Sequence, residues 1–325
     1  YGFRTMKTFR YHNYGSVDQL KVSDDPTPQI KADEILVKVR ANSVNSYDWD
    51  MLRGKPWYVK AINGWKRPKA QVLGCDFAGV IEEIGQNVSE FKPGDRVFGD
   101  VSTANWGAFS EFLVSPVNQL ARIPDEMSFE EAATIPQAGV LSLQALEMKP
   151  DAKNILMIGA GGGMGSFLIP LAIHQGARIT GVDKPSKDEF VRSLGAVDFI
   201  SSEGPAAEWS GKYDMIVDVV GHIKSKHYKH LLSKNGHYVM VGGSPGNLFH
   251  TLAKTLFSNP FSSKKFKILS HKPNGKDLTR LVEYWDKGIF KVRIDQTFPF
   301  EDLPKAMARF GSSQFKGKVV VRVNQ

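Results

Sequence analysis

Seven residues, Gly159-Ala160-Gly161-Gly162-Gly163-Met164-Gly165, constrain this chain more than any others. They follow Asn154 to Ile158, a short apolar run with the length of a buried parallel strand. They precede Ser166 to Gln175, where Phe167, Leu168, Leu171 and Ala172 recur at helical spacing. Arg178 to Val182 then reads as a second strand, with Asp183 at its end. Strand, glycine turn, helix, strand, acidic residue is the order of a dinucleotide-binding unit. Glycines let the backbone approach a pyrophosphate, and the helix N-terminus adds free N–H groups and a partial positive charge. The whole heptad is therefore a cofactor-binding candidate. A glycine-rich connection with no ligand would explain the heptad alone, but not its flanking elements and Asp183.

The 325 residues give room for about two domains. Up to Ile123 the pattern is short strands between glycine and proline turns, which suggests a small β-barrel over 6–123. A hairpin is expected over Met6 to Val22 and an extended connection over Asp24 to Pro28. Glu34 to Ala41 alternates, with Ile35, Val37 and Val39 on one face. Further strands are expected at Val80–Ile84, Arg96–Phe98, Ala108–Val114 and Leu120–Ile123. Tyr1 to Thr5 are set aside as an extension ahead of Met6.

The pattern changes at Pro124. Ser128, with Glu130 and Glu131 behind it, is a good helix start, and helices are expected over Phe129–Ile135 and Val140–Met148. Strands at Asn154–Ile158, Arg178–Val182, Asp198–Ile200, Tyr213–Val217 and His237–Val241 alternate with helices at Gly165–Gln175, Lys187–Leu194 and Ser225–Leu232. That alternation predicts a parallel, doubly wound sheet over 124–270, closed by a strand at Phe266–Ser270. Gly246 to Ser263 suggests a helix that projects from the sheet or covers a site. Residues 271–325 carry amphipathic helices at Asp277–Lys287 and Phe300–Phe310 and a strand, Lys318–Val323, that returns to the barrel.

No stretch reaches the roughly 18 unbroken apolar residues of a membrane span, so no membrane partner is expected. The single cysteine, Cys75, excludes an intrachain disulfide framework and suits a reducing, cytoplasmic setting. The net charge of +8 is compatible with a phosphorylated cofactor. The Lys264, Lys265, Lys267 cluster reads as solvated surface, and without an arginine–aromatic motif nucleic acid is not an expected partner.

Motifs run nearly end to end. They include Tyr14-Gly15, Glu34-Ile35-Leu36-Val37-Lys38-Val39 and Ser43-Val44-Asn45-Ser46-Tyr47-Asp48. Gly74-Cys75-Asp76-Phe77-Ala78-Gly79-Val80, Phe91-Lys92-Pro93-Gly94-Asp95-Arg96-Val97 and Gly107-Ala108-Phe109-Ser110-Glu111 follow. After the glycine heptad come Ser193-Leu194-Gly195-Ala196, Asp218-Val219-Val220-Gly221 and Lys316-Gly317-Lys318-Val319-Val320-Val321. With these the chain resembles the medium-chain dehydrogenase/reductase superfamily, and within it the zinc-free quinone oxidoreductase, zeta-crystallin-like branch. The resemblance implies an α/β fold: a GroES-like β-barrel catalytic domain built from both ends, and a Rossmann doubly wound parallel-sheet domain in the middle. It also implies an active site in the cleft between them and a homodimer through the last Rossmann strand, for which Phe266–Ser270 is the candidate edge.

In zinc-dependent members a cysteine follows the first barrel strand, and a His-Glu pair follows the glycine after it. Here those positions resemble Asn45 and Cys75-Asp76, and the four-cysteine lobe is absent. An amide and a lone thiol beside a carboxylate do not make a tetrahedral zinc site, so no zinc is expected. Cys75 reads as a small core residue.

The reaction that remains is hydride transfer from a reduced nicotinamide to a small-molecule quinone, enone or other activated carbonyl. Tyr47 falls where the zinc enzymes carry the hydroxyl of their proton relay. It is a candidate proton donor, with a passive cleft-lining role as the alternative. Asn45 would bond the substrate carbonyl or the nicotinamide ribose, while Asp48 holds its loop. Trp49, Trp57, Tyr58 and Trp65 suit stacking on a flat acceptor, or plain packing. Val220 and Gly221, and Gly242 and Gly243, end the fourth and fifth strands, where ligands of such sheets sit. Lys318 matches a basic residue that reaches the cofactor phosphates in the superfamily, or is simply solvated. Asp183 argues for NAD(H). Lys184, Ser186 and Lys187 could hold a 2′-phosphate, and the resemblance implies NADP(H), which is therefore placed ahead of NAD(H). The alternatives are an alcohol dehydrogenase, an enoyl-thioester reductase whose carrier 246–263 would bound, and a crystallin-like or RNA-binding protein that keeps the cofactor loop.

Overall fold

β1 (Thr5–Arg10), which buries Met6, Thr8 and Phe9, and the mostly polar β2 (Lys21–Pro26) are the first pair of strands. The computed structural model describes residues 4–323, so Tyr1, Gly2, Phe3, Asn324 and Gln325 lie outside the described residues. β1 and β2 pair antiparallel with Arg10 opposite Lys21, which is the expected hairpin. Two expectations change here. Thr5 belongs to β1 and Arg4 accepts the Thr27 N–H at 2.8 Å, so these residues are part of the fold. Asp24 to Pro26 are strand rather than connection.

β3 (Glu34–Val44) leads into α1 (Ser46–Arg53) and α2 (Trp57–Asn63). Ile35, Val37 and Val39 are fully buried, as their alternation predicts. The strand outlasts its apolar pattern because its polar end finds buried partners: the Asn42 amide donates to the Ala108 carbonyl at 3.0 Å, and the Ser43 hydroxyl to Asp76 at 3.3 Å. β4 (Asp76–Ile84), β5 (Arg96–Asp100), β6 (Phe112–Pro116) and β7 (Leu120–Arg122) complete the N-terminal strands.

α3 (Phe129–Thr134) starts on a capping box: the Ser128 hydroxyl accepts the Glu131 N–H at 3.2 Å, and Glu131 accepts the Ser128 N–H at 3.0 Å. α4 (Pro136–Glu147) begins at Pro136, not at Val140, because proline's fixed φ suits a first helical turn. α3 packs on β3 and β4, so the first compact unit runs to Val140 rather than to Ile123. Residues 272–287 and 294–325 join it, while 141–271 and 288–293 form the second unit.

The second unit runs β8 (Asn154–Ile158), α5 (Gly163–His174), β9 (Arg178–Asp183), α6 (Asp188–Ser193), β10 (Asp198–Ser201), β11 (Tyr213–Asp218) and β12 (Leu232–Met240). α7 (Pro245–Ala253) and β13 (Lys265–Ile268) end it. All six strands are parallel, in the order β10-β9-β8-β11-β12-β13. The helix expected over Ser225–Leu232 is only a short turn at Ser225–Tyr228. Tyr228 is sandwiched between Trp209 and Tyr238, with ring centroids 5.8 and 5.7 Å away. Leu231 and Leu232 are buried in the same cluster, and that burial draws the chain into strand. Residues 246–261 are helical as expected, and leave Phe249, Leu252, Leu256, Phe257 and Phe261 exposed.

α8 (Gly275–Asp286), β14 (Ile294–Pro299), α9 (Leu303–Gly311) and β15 (Lys318–Arg322) bring the tail back. β15 pairs antiparallel with β3, and the first unit's larger sheet reads β14-β15-β3-β4-β5-β7, with β6 on β3. Among the described residues no helix is long and apolar enough to cross a membrane.

Candidate active site

In the second unit the heptad turns from β8 into α5. Ala160 and Met164 are buried beneath it, and Gly159 takes φ +85°. Gly162 caps α5, whose first turn begins at Gly163 with unpaired N–H groups. Gly165 is dictated by space: a Cβ there would lie 2.0 Å from the Ala160 carbonyl oxygen. Asp183, at the end of β9, accepts the Gly161 N–H on Oδ2 and the Lys184 N–H on Oδ1, each at 2.8 Å. The Lys187 ammonium lies 3.7 Å from Oδ1, and both side chains are nearly buried. The sequence sets Asp183 against Lys187, whereas the structure pairs them. Lys184 is half-buried and Ser186 exposed.

β8 and β11 are adjacent where the strand order reverses, so their C-terminal ends flank the switch point. Gly221 (φ +60°) follows β11, and a Cβ on it would lie 2.2 Å from the carbonyl of Gly242, with Gly243 as close behind. Val220 beside it is exposed. Asp218 organises this corner, although it carried no expectation of its own. It accepts the N–H groups of Val220 at 3.0 Å and Gly221 at 2.7 Å, and the Tyr238 hydroxyl at 2.8 Å. Burial nonetheless pushes its carboxyl up.

The first unit holds a buried polar cluster where β3 passes into α1. The Asn45 N–H donates to Asp48 Oδ2 at 2.8 Å, and Asp48 Oδ1 accepts the Gly74 N–H at 3.0 Å. Asp48 therefore holds the loop, as expected. Burial pushes its carboxyl up to about 7 against the pull of those donors. Asp76 Oδ1 accepts the Gln137 N–H at 3.0 Å, and Oδ2 lies 3.5 Å from the Lys318 ammonium. Burial pushes Asp76 up to about 7 as well, with Lys318 opposing and Asp100 adding.

Lys318 is 3% exposed and donates to Asn45 Oδ1. It is buried, which corrects the solvated reading of it from sequence, and its ammonium is engaged by Asn45 and Asp76. Asn45 Nδ2 is buried without a hydrogen-bond partner. A weak interaction of the Asn45 side chain with Asp76 also favours the ionised form of that carboxylate. Cys75 is fully buried, and burial first, then Asp48, Asp100 and Asp76, hold its thiol well above the usual range. Ser43 and Gln137 are the members that sequence reasoning missed. Their only signal is a polar side chain inside an apolar run.

Tyr47 is 45% exposed, with its ring 6.4 Å from that of Trp106. Desolvation, then Cys75 and Asp100, raise its phenol, which therefore stays protonated near neutrality and suits giving a proton rather than taking one. Trp57 and Trp65 are exposed, with rings within 8° of parallel. Trp49 packs against the core under the Arg53 guanidinium.

Residues 31–125 match the family model for the alcohol dehydrogenase GroES-like domain, and 188–321 the model for the zinc-binding dehydrogenase. The chloroplast envelope quinone oxidoreductase homolog of Arabidopsis thaliana is 30% identical over 332 residues, covering 98% of both chains. The chain belongs to the medium-chain dehydrogenase/reductase superfamily, in its quinone-oxidoreductase-like branch. Another superfamily relative is the chloroplastic NADPH-dependent alkenal/one oxidoreductase of A. thaliana, 30% identical over 98% of this chain and 80% of its own. The quinone oxidoreductase from Coxiella burnetii has the same fold, with a TM-score of 0.87 at 23% identity over 99% of this chain and 100% of its own.

Zinc does not fit the residues this dehydrogenase/reductase carries. At the positions that resemble metal ligands, the Asn45 oxygen is taken by an ammonium, and an amide, one thiol and one carboxylate do not make a tetrahedral zinc set. The Lys318 charge beside Asp76 would repel a second cation. Among the described residues no three His, Cys, Asp or Glu side chains are grouped to hold a metal. A dinucleotide does fit: the heptad leaves its backbone open at the start of α5, where an anion is favoured.

Proposed function

We propose that the protein is a zinc-independent NAD(P)H-dependent reductase of quinones, enones or other activated carbonyls, with NADP(H) preferred. The observation that carries this reading is the buried ammonium and spare amide donor at the positions that resemble metal ligands. The activities for which the quinone and alkenal/one relatives are named support the acceptor class. A bound reduced nicotinamide supplies the hydride. The heptad and the N-terminus of α5 hold the pyrophosphate, and Lys184 and Ser186 are the groups left for a 2′-phosphate. Lys187 offsets the Asp183 charge that would otherwise repel it. Asn45 binds the acceptor oxygen, and Tyr47 delivers a proton to the enolate or hydroquinone oxygen.

An acceptor panel tests the reading. NADPH oxidation is expected with naphthoquinones or alkenals, undiminished by a metal chelator. Turnover of alcohols or enoyl thioesters, with none of quinones or enones, would refute it. Tyr47→Phe should lower kcat for an enone roughly 10- to 100-fold, below the full range for a general acid because water can reach this half-exposed site. NADPH affinity should not change. An unaltered kcat would leave Tyr47 as packing against Trp106.

We also infer a homodimer through β13. It is the last strand of its sheet, and Phe249, Leu252, Leu256, Phe257 and Phe261 lie exposed in the segment just before it. Sedimentation should give twice the chain mass, and a monomer throughout the micromolar range would refute the inference.

A further inference from the structure

Lys318 is a buried lysine whose cation serves two neighbours and no solvent. One is Asp76, whose Oδ2 faces Lys318 and also accepts the Ser43 hydroxyl at 3.3 Å, while its Oδ1 accepts the Gln137 N–H at 3.0 Å. The other is the Asn45 side-chain oxygen. An ammonium has donors only, and a carboxamide has one acceptor. The chemistry therefore settles which way the Asn45 amide faces: its oxygen must point at Lys318, and a flip would set NH₂ against NH₃⁺. The backbone of the same residue is pinned by its N–H bond to Asp48. With both ends held, one group is left over. Nδ2 is buried and has no partner. A buried donor without an acceptor is costly, and such groups persist where a ligand completes them. The cation on the amide oxygen also polarises the N–H bonds and makes Nδ2 a better donor.

We propose that Lys318 is a positioning residue: it locks the Asn45 carboxamide so that Nδ2 stands as a fixed hydrogen-bond donor for the carbonyl oxygen of the acceptor. The proposal rests on the reductase reading above. A carbonyl oxygen gains negative charge as hydride arrives, so a preorganised donor binds the transition state more tightly than the ground state. Lys318 touches neither acceptor nor cofactor and acts through Asn45.

The test removes both charges of the pair at similar volume, Lys318→Met/Asp76→Asn, since an unpaired buried Asp76 threatens folding. With an acceptor found by the panel, kcat should fall roughly 10- to 100-fold while NADPH affinity, read by fluorescence titration, stays constant. Asn45→Ala should lose as much, and adding the pair of substitutions to Asn45→Ala should cost nothing more. Additive losses would overturn the proposal. So would weaker NADPH binding with kcat intact, which would assign Lys318 to the cofactor instead. A second readout needs no turnover: the side-chain amide signals of Asn45 in ¹⁵N–¹H spectra, assigned by their loss in Asn45→Ala. They should shift and exchange faster with water when Lys318 is replaced, and unchanged signals would show that no lock exists. If the wild type reduces no quinone or enone, the reductase reading fails, and the spectra alone still decide the lock.

Discussion

Lys187→Ala should destabilise the second unit and move cofactor preference from NADPH toward NADH. The ammonium is the nearly buried partner of Asp183, and its alkyl stem packs over Gly161. Removing one member of a buried pair leaves the other charge uncompensated. Asp183 keeps two backbone donors, and the pair is long at 3.7 Å, so the expected cost is at the low end, about 2–3 kcal/mol. The uncompensated carboxylate charge would then act on any 2′-phosphate brought to Lys184 and Ser186. One new like-charge contact at a few ångströms should weaken NADPH relative to NADH by roughly 10- to 100-fold. Thermal melting and parallel titrations with the two cofactors check both parts. An equal effect on both cofactors would mean that this corner does not read the phosphate.

The second unit was legible in the sequence where local physics decides structure. The heptad and the strand ends around it rest on neighbours a few residues apart, as does the Ser128 capping box in the first unit. The helix expected over Ser225–Leu232 failed because Tyr228, Leu231 and Leu232 answer to the sheet core rather than to their own spacing. β14 went unread because much of it is polar or exposed, so no alternation marks it. At the site, Asn45 and Tyr47 were found through motif position. The meaning of Lys318 was not, because its partner lies 273 residues away. Only the β15–β3 register, with Val319 opposite Val44, sets it beside Asn45. Asp183 and Lys187 were read as rivals because a sequence shows charges without the turn that folds one onto the other.

Asp48 should contribute a fall in stability as pH rises from about 4 to 7, and Asp48→Asn should remove that contribution. An unfolded carboxyl titrates near 4, whereas burial holds Asp48 at about 7 in the fold. Between those values the native protein keeps a proton that the unfolded chain has released, so stability declines with rising pH. The decline is at most about 1.4 kcal/mol per pH unit, and about 4 kcal/mol over the whole interval. It is absent below the unfolded value and complete above the folded one. Asparagine has its own cost. Asp48 accepts the Asn45 N–H on one oxygen and the Gly74 N–H on the other, and an amide offers one acceptor. Near pH 5 the variant should therefore be the less stable protein by about 1–3 kcal/mol. As pH rises the wild type loses what the neutral amide never had, and the two melting curves should converge. Parallel pH profiles would mean that Asp48 is ionised throughout, its two N–H donors outweighing its burial.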